Sequence, residues 1–148
     1  MVLVHHILSD ARQRLATLSP DASVFDAATI LENPNTPLVI VCDSEGSAVG
    51  VVSRTDVVRV FSRARRDACE LHAEAIMTRP VFGCHESQTL QSLWDTMSAR
   101  SLRCAPVLDD SGRPQGVVHA RDLARALLDE VTNEELLLRD YVLGIGYQ

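Results

Sequence analysis

The chain has 148 residues, 46% of them apolar, and a net charge of −6. That length suits one co-folded body, the apolar share excludes a disordered chain, and the acidic balance argues against a nucleic-acid partner, whose counterpart surface is basic. Apolar runs fall far short of a membrane span, Met1–Leu8 has no basic start or cleavage site for secretion, and Cys42, Cys69, Cys84 and Cys104 lack C-x-x-C spacing, so the expectation is a cytoplasmic protein with free thiols and no membrane partner.

In chain order, Ser9–Leu18 reads as a short helix, and Ser23 caps a second one whose apolar positions Val24, Ala27, Ala28 and Leu31 share a face. Asn33–Pro37 is a loop, Leu38–Cys42 a buried strand, Asp43–Gly46 a tight turn, Ala48–Val52 the returning strand and Thr55–Arg65 a helix. Leu71–Pro80 reads as a short helix ended by its proline, and Val81–Gly83 as a short strand. Thr89 then caps a helix with Leu90, Leu93, Trp94 and Met97 on one face. Ala105–Leu108 and Gly116–His119 are strands around the turn Asp109–Gly112, Ala120–Leu128 is a helix, and Asn133–Leu143 is a last helix with Gly144 placed to stop it.

The second half repeats the first. Asp43, Gly46, Gly50, Val51, Val52 and Asp56 return 66 residues later as Asp109, Gly112, Gly116, Val117, Val118 and Asp122. Val41–Phe61 and Val107–Leu127 agree at 8 of 21 positions without a gap, where unrelated stretches agree at about one or two. The expected fold class is α/β (α+β): two β-α-β-β-α units packed about a pseudo-twofold axis, with flanking N- and C-terminal helices. The expected division is 1–17 as an N-terminal extension, 18–70 as the first repeat, 71–130 as the second repeat with its linker, and 131–148 as a C-terminal helix and tail.

The chemistry concentrates where each hairpin runs into a helix. Gly50-Val-Val-Ser53-Arg54-Thr55-Asp56 places an open backbone, two hydroxyls and a carboxylate at a helix start. Free N–H groups and the helix dipole attract phosphate there, an Asp can take both ribose hydroxyls, and Val51 and Val52 can wall a purine. The same residues are also ordinary helix caps, and both readings stand for a single copy. The return of the Asp at Asp122 favours the ligand reading. Copy two differs by carrying His119 where copy one has Ser53, an imidazole that titrates near neutral pH. The other histidines, including the adjacent His5-His6, lie at no metal-ligand spacing, and no nucleophile–base signature is present.

The doubled pattern of strand, D-x-x-G turn, G-h-h-S/T-x-x-D junction and helix resembles a tandem pair of cystathionine β-synthase (CBS) domains, also called a Bateman module. The resemblance covers about residues 18–130, with Ile76–Pro80 (IMTRP) similar to the family's linker and Leu138–Val142 (LRDYV) to the tail of short stand-alone members. It implies adenosine-ligand binding (AMP, ADP, ATP, NAD(H) or S-adenosylmethionine) in clefts between the copies, regulation without catalysis, and no required cofactor or metal. By motif position it assigns Ser53 to phosphate and Asp56 to ribose, and Asp122 to the ribose of a second cleft. Thr36–Val39 and Leu102–Pro106, the segments before the hairpins, also border the clefts. The implied ligand set is Gly50, Val52, Ser53, Arg54, Thr55, Asp56, Thr78, Pro80, Arg103, Cys104, Ala105, Pro106, His119, Arg121 and Asp122, with copy one the better site because of His119. It also implies a homodimer formed through helices, for which Val57–Phe61 and Leu123–Leu128 offer apolar faces. A structural dimerisation module with vestigial clefts is the alternative.

Overall fold

A computed structural model describes residues 1–146. Its elements are α1 (Leu8–Gln13), β1 (Thr17–Leu18), α2 (Val24–Leu31), β2 (Leu38–Cys42), β3 (Ala48–Ser53), α3 (Arg54–Ala64), α4 (Ala73–Ile76), α5 (Leu90–Ala99), β4 (Cys104–Leu108), β5 (Pro114–His119) and α6 (Ala120–Gly146). Each copy is a helix, an antiparallel hairpin and a second helix. The two hairpins even share an irregularity: the register shifts at Val41/Cys42 in copy one and at Val107/Leu108 in copy two, again 66 residues apart.

The repeated D-x-x-G is a turn device. Asp43 Oδ1 accepts from the N–H groups of Glu45 (2.9 Å) and Ser47 (3.0 Å), and Asp109 Oδ1 does the same for Ser111 (2.8 Å) and Arg113 (2.9 Å). Gly46 and Gly112 follow with φ of 85° and 80°, a region that side chains disfavour. The two turns also hold each other. Ala48 N–H donates to the Gly112 carbonyl (2.9 Å), the Ser47 hydroxyl to the Ser111 carbonyl (3.0 Å), and Arg113 Nε to the Glu45 carbonyl (3.1 Å).

Each copy has its own core. Val24, Ala27 and Leu31 of α2 pack on Val39, Val41 and Val52 in copy one. Leu90, Leu93 and Met97 of α5 pack on Ala105, Val107 and Val118 in copy two, with Trp94 half-buried at the edge. A third cluster draws Leu38 and Ile40 from one hairpin and Val117 from the other, so the pseudo-twofold contact is apolar. Each such side chain contributes about 1.5–3 kcal/mol on burial. The capping expectations hold: Ser23 Oγ accepts from Asp26 N–H (3.0 Å) and Thr89 Oγ1 from Ser92 N–H (3.1 Å).

Four elements depart from the sequence reading. The first helix ends at Gln13, and Thr17–Leu18 is a strand lying parallel to β2, with the Ile40 N–H donating to the Ala16 carbonyl (2.9 Å). Long-range pairing here overrides local helical pattern. Val81–Gly83 forms no strand, and only Cys84 bridges to Val107. The cause is one residue: the position equivalent to Ile40 is Pro106, which has no N–H to give the carbonyl of Phe82. The helix expected over Leu71–Pro80 is confined to Ala73–Ile76. Beyond it Thr78 runs extended and exchanges backbone bonds with Val51 (3.0 and 2.8 Å). Finally, Ala120–Leu128 and Asn133–Leu143 are one continuous α6, which passes through Gly144 to Gly146. No Pro or Gly interrupts 120–143, and Thr132 and Asn133 are too weak as breakers to end a helix. Residues 131–143 of α6 are exposed, among them Leu136, Leu137, Leu138 and Tyr141.

Candidate functional site

The junction of copy one is a reciprocal cap. Ser53, in extended backbone, accepts the Asp56 N–H on Oγ (3.3 Å), and Asp56 Oδ2 accepts the Ser53 N–H (2.9 Å) and hydroxyl (3.1 Å). Asp56 is buried, at 7% exposure, yet Oδ1 is held only loosely: Arg59 stands 3.5 Å away from an exposed position and the Thr78 hydroxyl 3.4 Å away. The backbone pairing of Thr78 with Val51 brings that hydroxyl in. Gly50 is required beneath the same segment, because a Cβ there would come within 2.6 Å of Met77 Cγ. Outside Asp56 opens a cleft of about 280 Å³, with Val60, Leu71, Ala75 and Ile76 as apolar wall and Arg59 and Arg63 as cations.

Copy two keeps the scaffold and changes the chemistry. His119 caps α6 by accepting the Arg121 N–H on Nδ1 (3.0 Å), which requires a neutral ring. Burial, then the nearby Arg121 and Arg14, hold its pKa below that of a free imidazole. Asp122 forms an ion pair with Arg14, and its Oδ2 is closed off from solvent. Here α1 covers the hairpin, and a Cβ on Gly116 would lie 2.7 Å from the Ala11 carbonyl carbon. The adjoining cleft, about 380 Å³, is polar: Asp10, Gln13, Arg14, Asp122 and Arg125 face Asn33 and Asn35 from the loop of copy one.

Between the copies lies a third cleft, about 380 Å³, in which Pro37, Leu38, Ser53, Arg54 and Thr55 meet Leu102, Arg103, Cys104 and His119. The 66-residue shift relates Ser53 to His119 and Leu38 to Cys104, so this cleft straddles the pseudo-axis. It gathers the hydroxyls of copy one with the cation Arg103 of copy two. Arg54 borders it but commits its guanidinium elsewhere, with Nε donating to the Leu31 carbonyl (3.0 Å) and Nη2 to the carbonyls of Asn33 and Thr36 (both 2.9 Å). Arg54 is therefore a strut between α2 and α3 rather than a free cation. Val52, Ala105 and Pro106 are buried in their strands, so their side chains wall none of these three clefts. Pro80 and Arg121 are exposed and line none of the three either. Burial raises the Cys104 thiol to about 11 and the Cys84 thiol to about 12, leaving both protonated at neutral pH.

The sequence reading passed over Arg59, Arg63, Arg14, Asp10 and the loop asparagines. Arg59 was findable, since Arg125 repeats it at the same offset and both stand three residues after the junction Asp. Arg14 carried no such signal: 66 residues on stands Pro80.

Twin hairpins joined turn to turn, each heading a helix with an Asp beside an open cleft, define a tandem-repeat ligand-binding module. The chain belongs to the CBS domain family, whose model matches residues 5–63 and 73–129. It is 30% identical over 136 residues to an uncharacterized 17.7 kDa protein of Acidianus ambivalens, covering 92% of this chain and 81% of that one. It is 28% identical over 109 residues to the L-aspartate semialdehyde sulfurtransferase of Methanocaldococcus jannaschii, of which it spans only 20%. Among solved structures it is similar to the CBS domain pair of protein MJ0100, in complex with 5′-methylthioadenosine and S-adenosyl-L-methionine, at a TM-score of 0.74 and 28% identity, covering 88% of this chain and 98% of that one.

Proposed function

We propose that this chain is a regulatory module that binds an adenosine-containing ligand at the Asp56 cleft and performs no chemistry on it. The carrying observation is Asp56 itself: a buried carboxylate fixed at a helix start, with one oxygen engaged in the cap and the other only loosely held. A ribose that donates to Oδ1 displaces Arg59, an exposed pair that costs little to break. The apolar wall from Val60 to Ile76 suits a purine, and Arg59 and Arg63 suit phosphate. Ser53 and Thr55 continue toward the central cleft, where Arg103 extends the anionic subsite. The adenosine ligands of the MJ0100 domain pair support the ligand class.

Calorimetry with AMP, ATP, NADH, S-adenosylmethionine and 5′-methylthioadenosine tests this reading. At least one should bind, and Asp56→Asn, which preserves the cap, should weaken it tenfold or more. The completed Ser53–Asp56 cap and the exposed apolar face of α6 favour a second reading, a dimerisation module whose clefts are empty by design. A dimer in sedimentation that binds none of the five ligands would select it.

A further inference from the structure

The Asp122 cleft already holds a cation. Arg14 and Asp122 pair across the boundary between α1 and α6, with side chains 25% and 17% exposed. The pair differs from the Arg59–Asp56 contact, in which the arginine is 52% exposed and stands 3.5 Å away. Asp122 Oδ2 has no solvent exposure, so a sugar hydroxyl reaches it only after Arg14 leaves.

Arg14 is also held from both sides. Upstream, Leu8 and Ala11 are buried in the core of copy two, and the Ala11 backbone lies against Gly116. Downstream, the chain enters β1 in the sheet of copy one within three residues. Its backbone N–H closes on the Ala11 carbonyl (3.2 Å). The side chain therefore starts from a fixed point, and expelling it strands a guanidinium in a partly buried place. The corresponding residue in copy one, Pro80, has no donor to offer Asp56.

We infer that Arg14 is a built-in occupant of the second cleft: it takes the carboxylate a ribose would need, so the native chain loads one adenosine ligand rather than two. This rests on the reading of Asp56 as the open site. Removing Arg14 leaves a second, differently charged cleft, because Asp10 and Asp129 surround Asp122 where Ile76 and Arg63 surround Asp56. The freed cleft should therefore accept an adenosine without phosphate, and 5′-methylthioadenosine is the suitable probe.

The test is the number of 5′-methylthioadenosine molecules bound per full-length chain, by calorimetry, in the native protein, Arg14→Ala, Arg14→Lys, Asp56→Asn and the double variant Arg14→Ala/Asp56→Asn. The expected counts are one, two, one, none and one, with Arg14→Lys retaining the plug through its single charge. Arg14→Gln replaces Arg14→Ala if the latter melts early. Two molecules on the native chain, or one on both the native chain and Arg14→Ala, would overturn the inference. No binding by the native chain but one molecule on Arg14→Ala would instead sustain the plug and sink the Asp56 reading. No binding by any variant overturns both.

Discussion

The two copies have the same hairpin, the same register slip and the same Asp, yet different neighbours cover them. In copy one the linker lies over β3, placing Met77 on Gly50 and the Thr78 hydroxyl near Asp56. In copy two α1 lies over β5, placing the Ala11 backbone on Gly116 and Arg14 on Asp122. The residue that decides whether a cleft is open thus comes from outside the repeated unit. Internal symmetry in sequence builds two equal frames, and the covering segments make them unequal sites.

The sharpest way to break this comparison is the paired substitution of the two glycines. A Cβ on Gly116 collides with backbone that cannot withdraw without lifting α1, whereas one on Gly50 collides with a flexible methionine side chain. Gly116→Ala should cost about 3 kcal/mol and Gly50→Ala about 1 kcal/mol, read from denaturant midpoints. Equal costs would mean that the two covers are equally compliant.

A smaller effect distinguishes the two caps. Ser53→Ala removes the hydroxyl that accepts the Asp56 N–H and should cost about 1 kcal/mol. His119→Ala removes a single bond from a half-buried ring and should cost less. The reverse order would show that the imidazole does more than cap.

The least effect is one of pH. The folded protein holds the His119 pKa below 6.5, the value of a free imidazole. The unfolded chain therefore binds the proton first as pH falls. The contribution of the neutral cap is complete above pH 6.5 and declines below it, levelling off once pH passes the lower folded value. The melting temperature of the native chain should fall, relative to His119→Ser, between pH 7 and pH 5. Parallel curves would remove His119 from the account.

Much of this was legible in the chain. The constant 66-residue offset carried the hairpins, the turns, the helix caps and the pairing of Asp56 with Asp122, because those features depend on local spacing. What escaped depends on contacts far apart in sequence. Nothing near Thr17 says that it pairs with Ile40, and nothing near Arg14 points to Asp122. Pro106 is the instructive intermediate case. Its missing N–H was visible in the sequence, but its consequence for residues 81–83 needed the partner strand to be known. The capping and ligand readings of Ser53 and Asp56 also proved compatible, since the cap engages one carboxylate oxygen and leaves the other.

The placement of residues 8–18 has a consequence for the order of assembly. As the chain leaves the ribosome, copy one has its cover as soon as the linker emerges, because that cover follows it directly. Copy two emerges last but is covered by α1, which was made first. Completing the second half therefore closes a loop of about a hundred residues, a slow step set by the separation of contacts along the chain. Until then β5 is an exposed apolar edge, and the earliest segment of the protein is the last to find its place.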